Sequence, residues 1–352
     1  MGNYNAALPS AYFNRADYQA LMGSTVSAAL QESQGLRFDS AEDASVFFAR
    51  ELDYVKAESY NVEYPEFTAL QILPISSEVN AGAESVTYYS YDKTGMAKII
   101  DNYATDLPRA DAKGQPFTAN IKSIGNSYGY SVQEMRASRM AGKSLDLAKA
   151  EAARYAVDYL NNKIAWAGDA ENGLMGILSA NNDIPLYTIP ANGENSSTKW
   201  QHKTAAQILA DINGMQAAVA RNTKNVERPD TLVLPSDVFM DISTRQLEGT
   251  GYSIKRFVLE NAPYLKEIVP ASELNADSDI NPYGGSNVTS GQEQAVALLF
   301  KKDPRKLTLE NPLPFYQYPI QPRSLEIVVP CEARTAGVII YYPLSLLIAL
   351  GI

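Results

Sequence analysis

At 352 residues, with 45% apolar and 20% charged side chains, the chain is long enough for two or three structural units and has the composition of a folded globular protein. Forty acidic against thirty basic side chains leave a net charge of −10, which argues against a broad basic face for gripping a phosphate backbone. A single cysteine, Cys331, and a single histidine, His202, exclude a disulfide framework, cysteine-rich metal sites and paired-histidine metal centres.

The first ~35 residues mix Gly, Ser, Asn and short apolar pieces without a sustained period and read as an extended arm. From Ser40 a pattern sharpens: Val46, Phe47, Leu52 and Val55 follow the acidic start Glu42-Asp43, which predicts a helix over 41–58. The apolar run 67–75 behind Pro65 reads as a buried strand, and 76–82 as a turn. Residues 84–93 (ESVTYYSYDK) and 117–127 (FTANIKSIGNS) are strand-like, and the polar stretch between them carries Gly95, Pro108 and Gly114. Together they predict a long two-stranded excursion. An isolated hairpin has no core of its own, so such an excursion is expected to lie on another surface, such as that of a neighbouring subunit.

Ser131-Val132-Gln133-Glu134 is a capping box that opens a helix. Gly142 interrupts it and Ser144 can cap a restart, after which Leu145, Ala148, Ala152, Ala156, Tyr159, Leu160 and Ile164 trace one apolar face of a rod over 144–166, roughly 33 Å long. Glu151, Arg154 and Asp158 lie on its opposite, solvated face. The glycine-punctuated loop 168–176 lacks the pattern of a phosphate-binding loop, so its glycines are expected to turn the backbone. The polar residues 181–203, with His202 as a surface residue, read as a boundary.

A second capping box, Thr204-Ala205-Ala206-Gln207, starts a helix that continues through Ile208, Ile212, Met215 and Val219. A buried strand at 231–234, short helices at 236–243 and 253–260 and a strand at 295–300 make this a mixed α/β body. The oxygen-rich segment 275–281 departs from a calcium loop, with Pro282 and Val288 at the positions of the turn glycine and the bidentate carboxylate, and reads as a plain loop. Residues 325–331 and 337–342 are expected to pair as antiparallel strands, with Cys331 a buried small hydrophobe. The apolar stretch 338–352, interrupted by Pro343, reads as core strand plus tail and is too short and too broken for a membrane span. No catalytic, cofactor-binding or metal-ligating set emerges, and the chain is not expected to be an enzyme.

The order of elements resembles the major capsid protein fold of tailed bacteriophages, which encapsulin nanocompartments share. The likeness rests on Glu63-Tyr64-Pro65 leading into 70–74, on Gly82 followed by Tyr88-Tyr89-Ser90-Tyr91, and on a rod closing in Gly168-Asp169. Gly173-Leu174-Met175-Gly176-Ile177-Leu178 and the tail 334–343 complete it. The resemblance implies an α+β fold with an N-terminal arm (1–60), a peripheral domain (61–83 and 128–203) holding the spine helix, and an extended β-hairpin loop (84–127). It further implies an α/β axial domain (204–324) and C-terminal strands (325–352) that return to the peripheral domain. The expected function is structural: self-assembly through pentamers and hexamers into an icosahedral shell around double-stranded DNA, bound without sequence specificity.

Partners implied by the resemblance are other copies of the chain, a scaffolding protein, a portal and decoration proteins, with no membrane. The location implied is the virion, after synthesis in the bacterial host cytoplasm. Candidate subunit-interface residues are Tyr88, Tyr89, Tyr91, Lys93, Phe117 and Ile121 in the excursion. Two alternatives stay open at this point: an encapsulin-like shell enclosing cargo enzymes, and an α/β small-molecule-binding protein or enzyme working through residues 204–320.

Overall fold

The computed structural model describes residues 66–94, 111–141, 148–289 and 291–352. The expected arm, the helix at 41–58, the middle of the excursion and the Gly142–Ser144 break lie outside the described residues. In chain order the main elements are α1 (Ala69–Ile72), β1 (Ile75–Ser76), β2 (Ser85–Thr94), β3 (Asp111–Asn120), β4 (Lys122–Ser131), α2 (Val132–Ala141), α3 (Ala148–Ala167) and β5 (Leu186–Thr188). There follow α4 (Ala205–Asn222), β6 (Thr231–Pro235), α5 (Ser236–Thr244), α6 (Ile254–Asn261), β7 (Glu267–Ala271), β8 (Val296–Phe300) and β9 (Leu307–Glu310). The last are β10 (Leu313–Gln317), β11 (Gln321–Arg323), β12 (Glu326–Thr335), β13 (Gly337–Ile340) and β14 (Leu347–Leu350).

A five-stranded sheet in the order β5-β14-β8-β6-β7 forms the centre of the second body. Its inner strands β14, β8 and β6 are buried on both faces, so they read as continuous apolar runs rather than as alternation, whereas the edge strand β5 is largely exposed. Leu232 and Leu234 of β6 with Ala297 and Leu299 of β8 pack against Ile208, Ile212, Met215 and Val219 of α4 and Ile242 of α5. The opposite face, with Val233, Val296, Leu298 and Phe300, packs against Ile72, Trp166, Ile177, Leu309 and Val338. α4 starts as predicted: the Thr204 hydroxyl accepts from the Gln207 amide, and the Gln207 side chain accepts from the Thr204 amide at 2.8 Å. Thr204→Ala is expected to cost about 1 kcal/mol, read as a lower urea midpoint at unchanged slope.

The polar stretch 181–203 is part of this body. It contributes β5, which lies parallel to β14, and Ile189 and Trp200, which enter the same core as α4. The apolar tail is likewise a strand, β14, between β5 and β8.

The rod α3 lies on a second sheet, in which β12 pairs with β4 on one side and with β10 and β11 on the other. Ile124, Val157, Ile164, Leu174 and Ala333 form the small core between them. The Ser131–Glu134 capping box is present at the start of α2, with the Ser131 hydroxyl accepting from the Glu134 amide at 3.1 Å and the Ser131 amide donating to the carboxylate at 3.0 Å.

Four local expectations are corrected. Residues 67–75 are not a strand but the helical turn α1 followed by the two-residue β1. The Thr68 and Ala69 amides donate to the side chains of Glu273 at 3.2 Å and Asn162 at 3.0 Å, which satisfies the donors of a helical start. A short apolar run does not distinguish the two by periodicity.

The run 117–127 is two strands in two sheets, broken at buried Ile121, whose amide closes the hairpin on the Glu84 carbonyl at 2.9 Å. Residues 325–331 and 337–342 do not pair with each other. β12 continues to Thr335, and Gly337 (φ 71°) turns the chain so that β13 pairs with β9 instead. A Cβ at Gly337 would collide with the Met175 carbonyl, which accepts from the Val338 amide at 2.8 Å.

Finally, α3 buries Ala153, Val157 and Ile164 on its sheet, whereas Ala152, Ala156, Tyr159 and Leu160 of the expected core face are exposed. These exposed apolar side chains alternate with Lys149 and Lys163 around the helix, and the sheet covers only the side that carries Ala153, Val157 and Ile164. The charged side is where it was expected, with Arg154 and Asp158 paired at 3.5 Å.

Candidate inter-subunit surfaces

The hairpin β2–β3 is in register over its whole described length, with Tyr88 opposite Phe117, Tyr89 opposite Pro116 and Tyr91 opposite Gly114. Because side chains alternate along a strand, the three tyrosines divide between two faces. Tyr88 turns inward. Its ring stacks on Phe117 at 5.5 Å and meets Tyr341 edge-on at 4.9 Å, and its hydroxyl donates to the Ile340 carbonyl at 3.4 Å. Partial burial, and then the neighbouring Tyr341, push the Tyr88 phenol above its ordinary pKa.

Tyr89 and Tyr91 occupy the other face, 62% and 68% exposed, with their rings stacked 6.4 Å apart. Tyr91 lies over Gly114, filling the space that a side chain there would take. Of the remaining sequence candidates, Phe117 is partly exposed beside Tyr88, and Lys93 pairs through its backbone with Ala112. Ile121 is only 4% exposed and belongs to the interior of its own chain, because it sits where the hairpin enters the body. The hairpin root is held by the Arg334 guanidinium, which donates to the Ala81 carbonyl.

Three further surfaces escaped the sequence reading. One is the exposed flank of α3 with Ala152, Ala156 and Leu160, beside Tyr159, whose ring meets Phe67 at 6.2 Å. Its apolar residues were legible in the sequence but were assigned to the core face. The second is the face of the β4–β12 sheet turned away from α3, where Ser123, Gly125, Ser127, Tyr318, Pro330 and Glu332 line a shallow depression of about 730 Å³. The Tyr318 hydroxyl donates to Glu332 at 2.6 Å, and this bond, with a second from Ser123, holds the Glu332 carboxyl below the usual carboxylate range. The third is the stretch from β10 to β12, along which Tyr316, Tyr318, Ile320 and Leu325 are exposed.

The groups that could carry chemistry are otherwise occupied. Cys331 is buried beneath the β4–β12 sheet, and burial raises its thiol pKa, which disfavours the reactive thiolate. His202 is exposed in a short 3₁₀ turn. In the segment 275–281 the Asn281 amide donates to the carbonyls of Asn275 at 3.1 Å and Gln294 at 2.8 Å, and Asp279 accepts from the Ser286 hydroxyl at 2.8 Å. Its polar groups thus hold the loop itself. Among the described residues there is no cluster of three or more metal-ligating side chains, and no helix is long and apolar enough to cross a membrane.

A family model described as "Major capsid protein" matches residues 95–352. Among solved structures, the capsid of Myoviridae phage XM1 is similar over 88% of this chain and 99% of its own, with a TM-score of 0.71 at 16% identity. The capsid of an empty GTA particle is similar over 89% and 99%, with a TM-score of 0.58 at 11% identity. A Mycobacterium phage Bobi chain is similar over 89% and 99%, with a TM-score of 0.55 at 15% identity. At these identities the structural likeness speaks for the fold. No curated protein matches the sequence.

Proposed function

Since the chain belongs to the major capsid protein family, its role is structural, and we propose that its copies close through pentamers and hexamers into an icosahedral shell around double-stranded DNA. The observation that carries this reading is the hairpin β2–β3, which presents two stacked tyrosines to solvent and has no core of its own. In this reading the hairpin is the extended loop, α3 and the β4–β12 sheet form the peripheral domain with α3 as its spine, and the five-stranded sheet with α4–α6 is the axial domain. Residues 1–60 act as an arm between subunits.

Scaffolding, portal and decoration proteins are the partners of such a shell, and the chain is made in the cytoplasm of a bacterial host before it enters the virion. The net charge of −10 suits packaged DNA that is confined rather than gripped. Each contact between copies is weak, but repetition around closed symmetry turns weak contacts into a stable particle and leaves no open edge.

The test is electron microscopy of the recombinant chain after size-exclusion chromatography, alone and with the products of neighbouring genes. Closed shells or five- and six-membered rings support the reading, and a monomer or dimer under every condition overturns it. The nucleic acid or protein inside purified particles separates a genome shell from a cargo compartment. The double variant Tyr89→Ser/Tyr91→Ser is expected to abolish shells while changing subunit stability by no more than about 0.5 kcal/mol, since both rings are on the surface. Thermal unfolding of the unassembled subunit checks the second half of that statement.

A further inference from the structure

We infer that the phosphate backbone of the enclosed duplex DNA touches each copy of the chain at one basic edge of the five-stranded sheet, through Arg228, Lys301 and Arg305. The inference rests on the DNA-filled shell proposed above and names the surface that meets the DNA.

The tertiary structure creates this edge from three separate stretches. β7 runs parallel to β6 and β8 antiparallel, so Thr231 lies beside Glu267 on one side and Phe300 on the other. Residues 227–230, 264–267 and 301–306 therefore converge, and they meet at Asp230. Its amide donates to the Phe300 carbonyl at 3.1 Å, its carbonyl accepts from the Lys266 amide at 2.8 Å, and its carboxylate accepts from the Lys302 amide at 2.9 Å. Together the three stretches hold six basic and four acidic residues, a local excess of cations in a chain whose net charge is −10.

The four acids are already engaged. Glu227 bonds the Lys306 ammonium, Asp230 faces Lys266 at 3.7 Å and Glu267 faces Lys302 at 3.8 Å. Asp303 accepts from the Arg305 amide at 2.9 Å and so holds its own turn. Among the described residues Arg228, Lys301 and Arg305 have no ion pair; Arg228 and Arg305 are exposed and Lys301 is half-buried. Two tyrosines border the edge, and each has a cation over its ring, Arg228 on Tyr264 at 4.6 Å and Lys306 on Tyr342 at 4.2 Å. What the edge offers a partner is thus mainly charge, on loops fixed by backbone hydrogen bonds. A protein partner fits best where an apolar centre has a polar rim, whereas a phosphate backbone is met by cations alone and carries no sequence requirement.

The contact is weak per copy. Three neutralised phosphates correspond to a slope of about −2.7 in log K against log salt, and so to a roughly fortyfold fall in affinity between 50 and 200 mM salt. Repetition over the copies of a shell makes such touches additive along one DNA molecule, while the acidic balance of the rest of the chain keeps DNA from being held elsewhere.

The test is fluorescence anisotropy of the unassembled full chain with a labelled 30-base-pair duplex of random sequence. Arg228→Gln/Lys301→Gln/Arg305→Gln is expected to weaken binding at 50 mM salt at least tenfold and to flatten the salt slope by about 2.7. Lys122→Gln/Lys199→Gln/Arg323→Gln makes the same change of net charge at exposed positions elsewhere and is expected to stay within twofold of wild type. No binding by the wild type, equal losses in the two triple variants, or tighter binding of polyglutamate than of the duplex overturns the inference. Each of these outcomes leaves the formation of shells, seen in the microscope, untouched.

If the triple variant does not fold, lysine acetylation of DNA-filled and emptied wild-type particles decides, read by mass spectrometry. Severalfold protection of Lys301 in filled particles, with Lys122 and Lys199 unchanged, supports the contact. Equal reactivity of Lys301 in both overturns it. Particles that never contain DNA overturn the genome-shell reading, and this inference with it.

Discussion

Asp211→Ala is expected to destabilise the subunit by about 3–5 kcal/mol, the cost of stranding a buried charge. Asp211 and the Lys203 ammonium meet at 2.7 Å with side chains 2% and 0% exposed. The same carboxylate oxygen accepts from the Trp200 indole at 3.1 Å, and Lys203 also donates to the Pro190 carbonyl at 2.6 Å. Arg245, at the end of α5, donates to the backbone carbonyls of Trp200 and Lys203 at 3.1 and 2.8 Å. The pair therefore ties the stretch 190–203 to α4, and Arg245 ties it to α5. Removing the carboxylate leaves an ammonium with one carbonyl in a dry interior. The double variant Asp211→Leu/Lys203→Met removes both charges and is expected to recover much of the loss, because an apolar pair of similar volume has no desolvation cost to offset. Calorimetric melting of the two variants checks the order; a single variant no less stable than the double would show that water reaches the site.

Gly176→Ala is expected to lie at the upper end of the roughly 1–3 kcal/mol that overpacking costs, a fall of about 2–4 °C in Tm for each kcal/mol. An added Cβ would meet the Gly168 amide nitrogen, the Ala167 carbonyl carbon and the Trp166 oxygen, all backbone atoms. None can move freely. The Ile177 and Leu178 amides donate to the Ala165 and Trp166 carbonyls at 3.0 and 2.8 Å, and Ser179 bridges the Gly176 amide and the Ala167 carbonyl at 2.9 Å each. Gly168 itself sits at φ 78°, a conformation that favours glycine. The loop folds back on the last turn of α3 so closely that two chain segments share the space of one side chain. Gly125→Ala is the control, since nothing lies within 4 Å of a Cβ there; its melting temperature is expected to stay at the wild-type value.

For a shell protein these two sites have different consequences. The Lys203–Asp211 pair stabilises the body built on the five-stranded sheet. The Gly168–Gly176 loop sets how the rod leaves that body, because Trp166 and Ile177 are in its core while Ala153 and Val157 lie on the second sheet. A subunit that must repeat the same angle at every contact needs this joint to be stiff. Close backbone packing supplies stiffness where a flexible linker would not.

Much was determined by the sequence alone, wherever a local signal has one physical solution. Both capping boxes formed as read, because a hydroxyl and a Glu or Gln three residues apart satisfy orphan amides in one geometry only. The apolar positions of α4, the buried strands β6 and β8 and the tyrosine-rich strand β2 were legible from period and composition, and their order carried the family resemblance.

What only the tertiary structure decided were matters of partnership. The run 67–75 became a four-residue helical turn leading into β1 rather than one strand because Glu273 and Asn162, far away in sequence, offered acceptors to the amides at its start. The two C-terminal strands parted because Gly337 could take a positive φ against Met175 and β9 stood on the other side. The rod buried its Ala153–Val157 flank because that flank met a sheet. Period along one strand or helix shows which side chains share a face; it does not show which face finds a partner, since that depends on surfaces brought together from the whole chain.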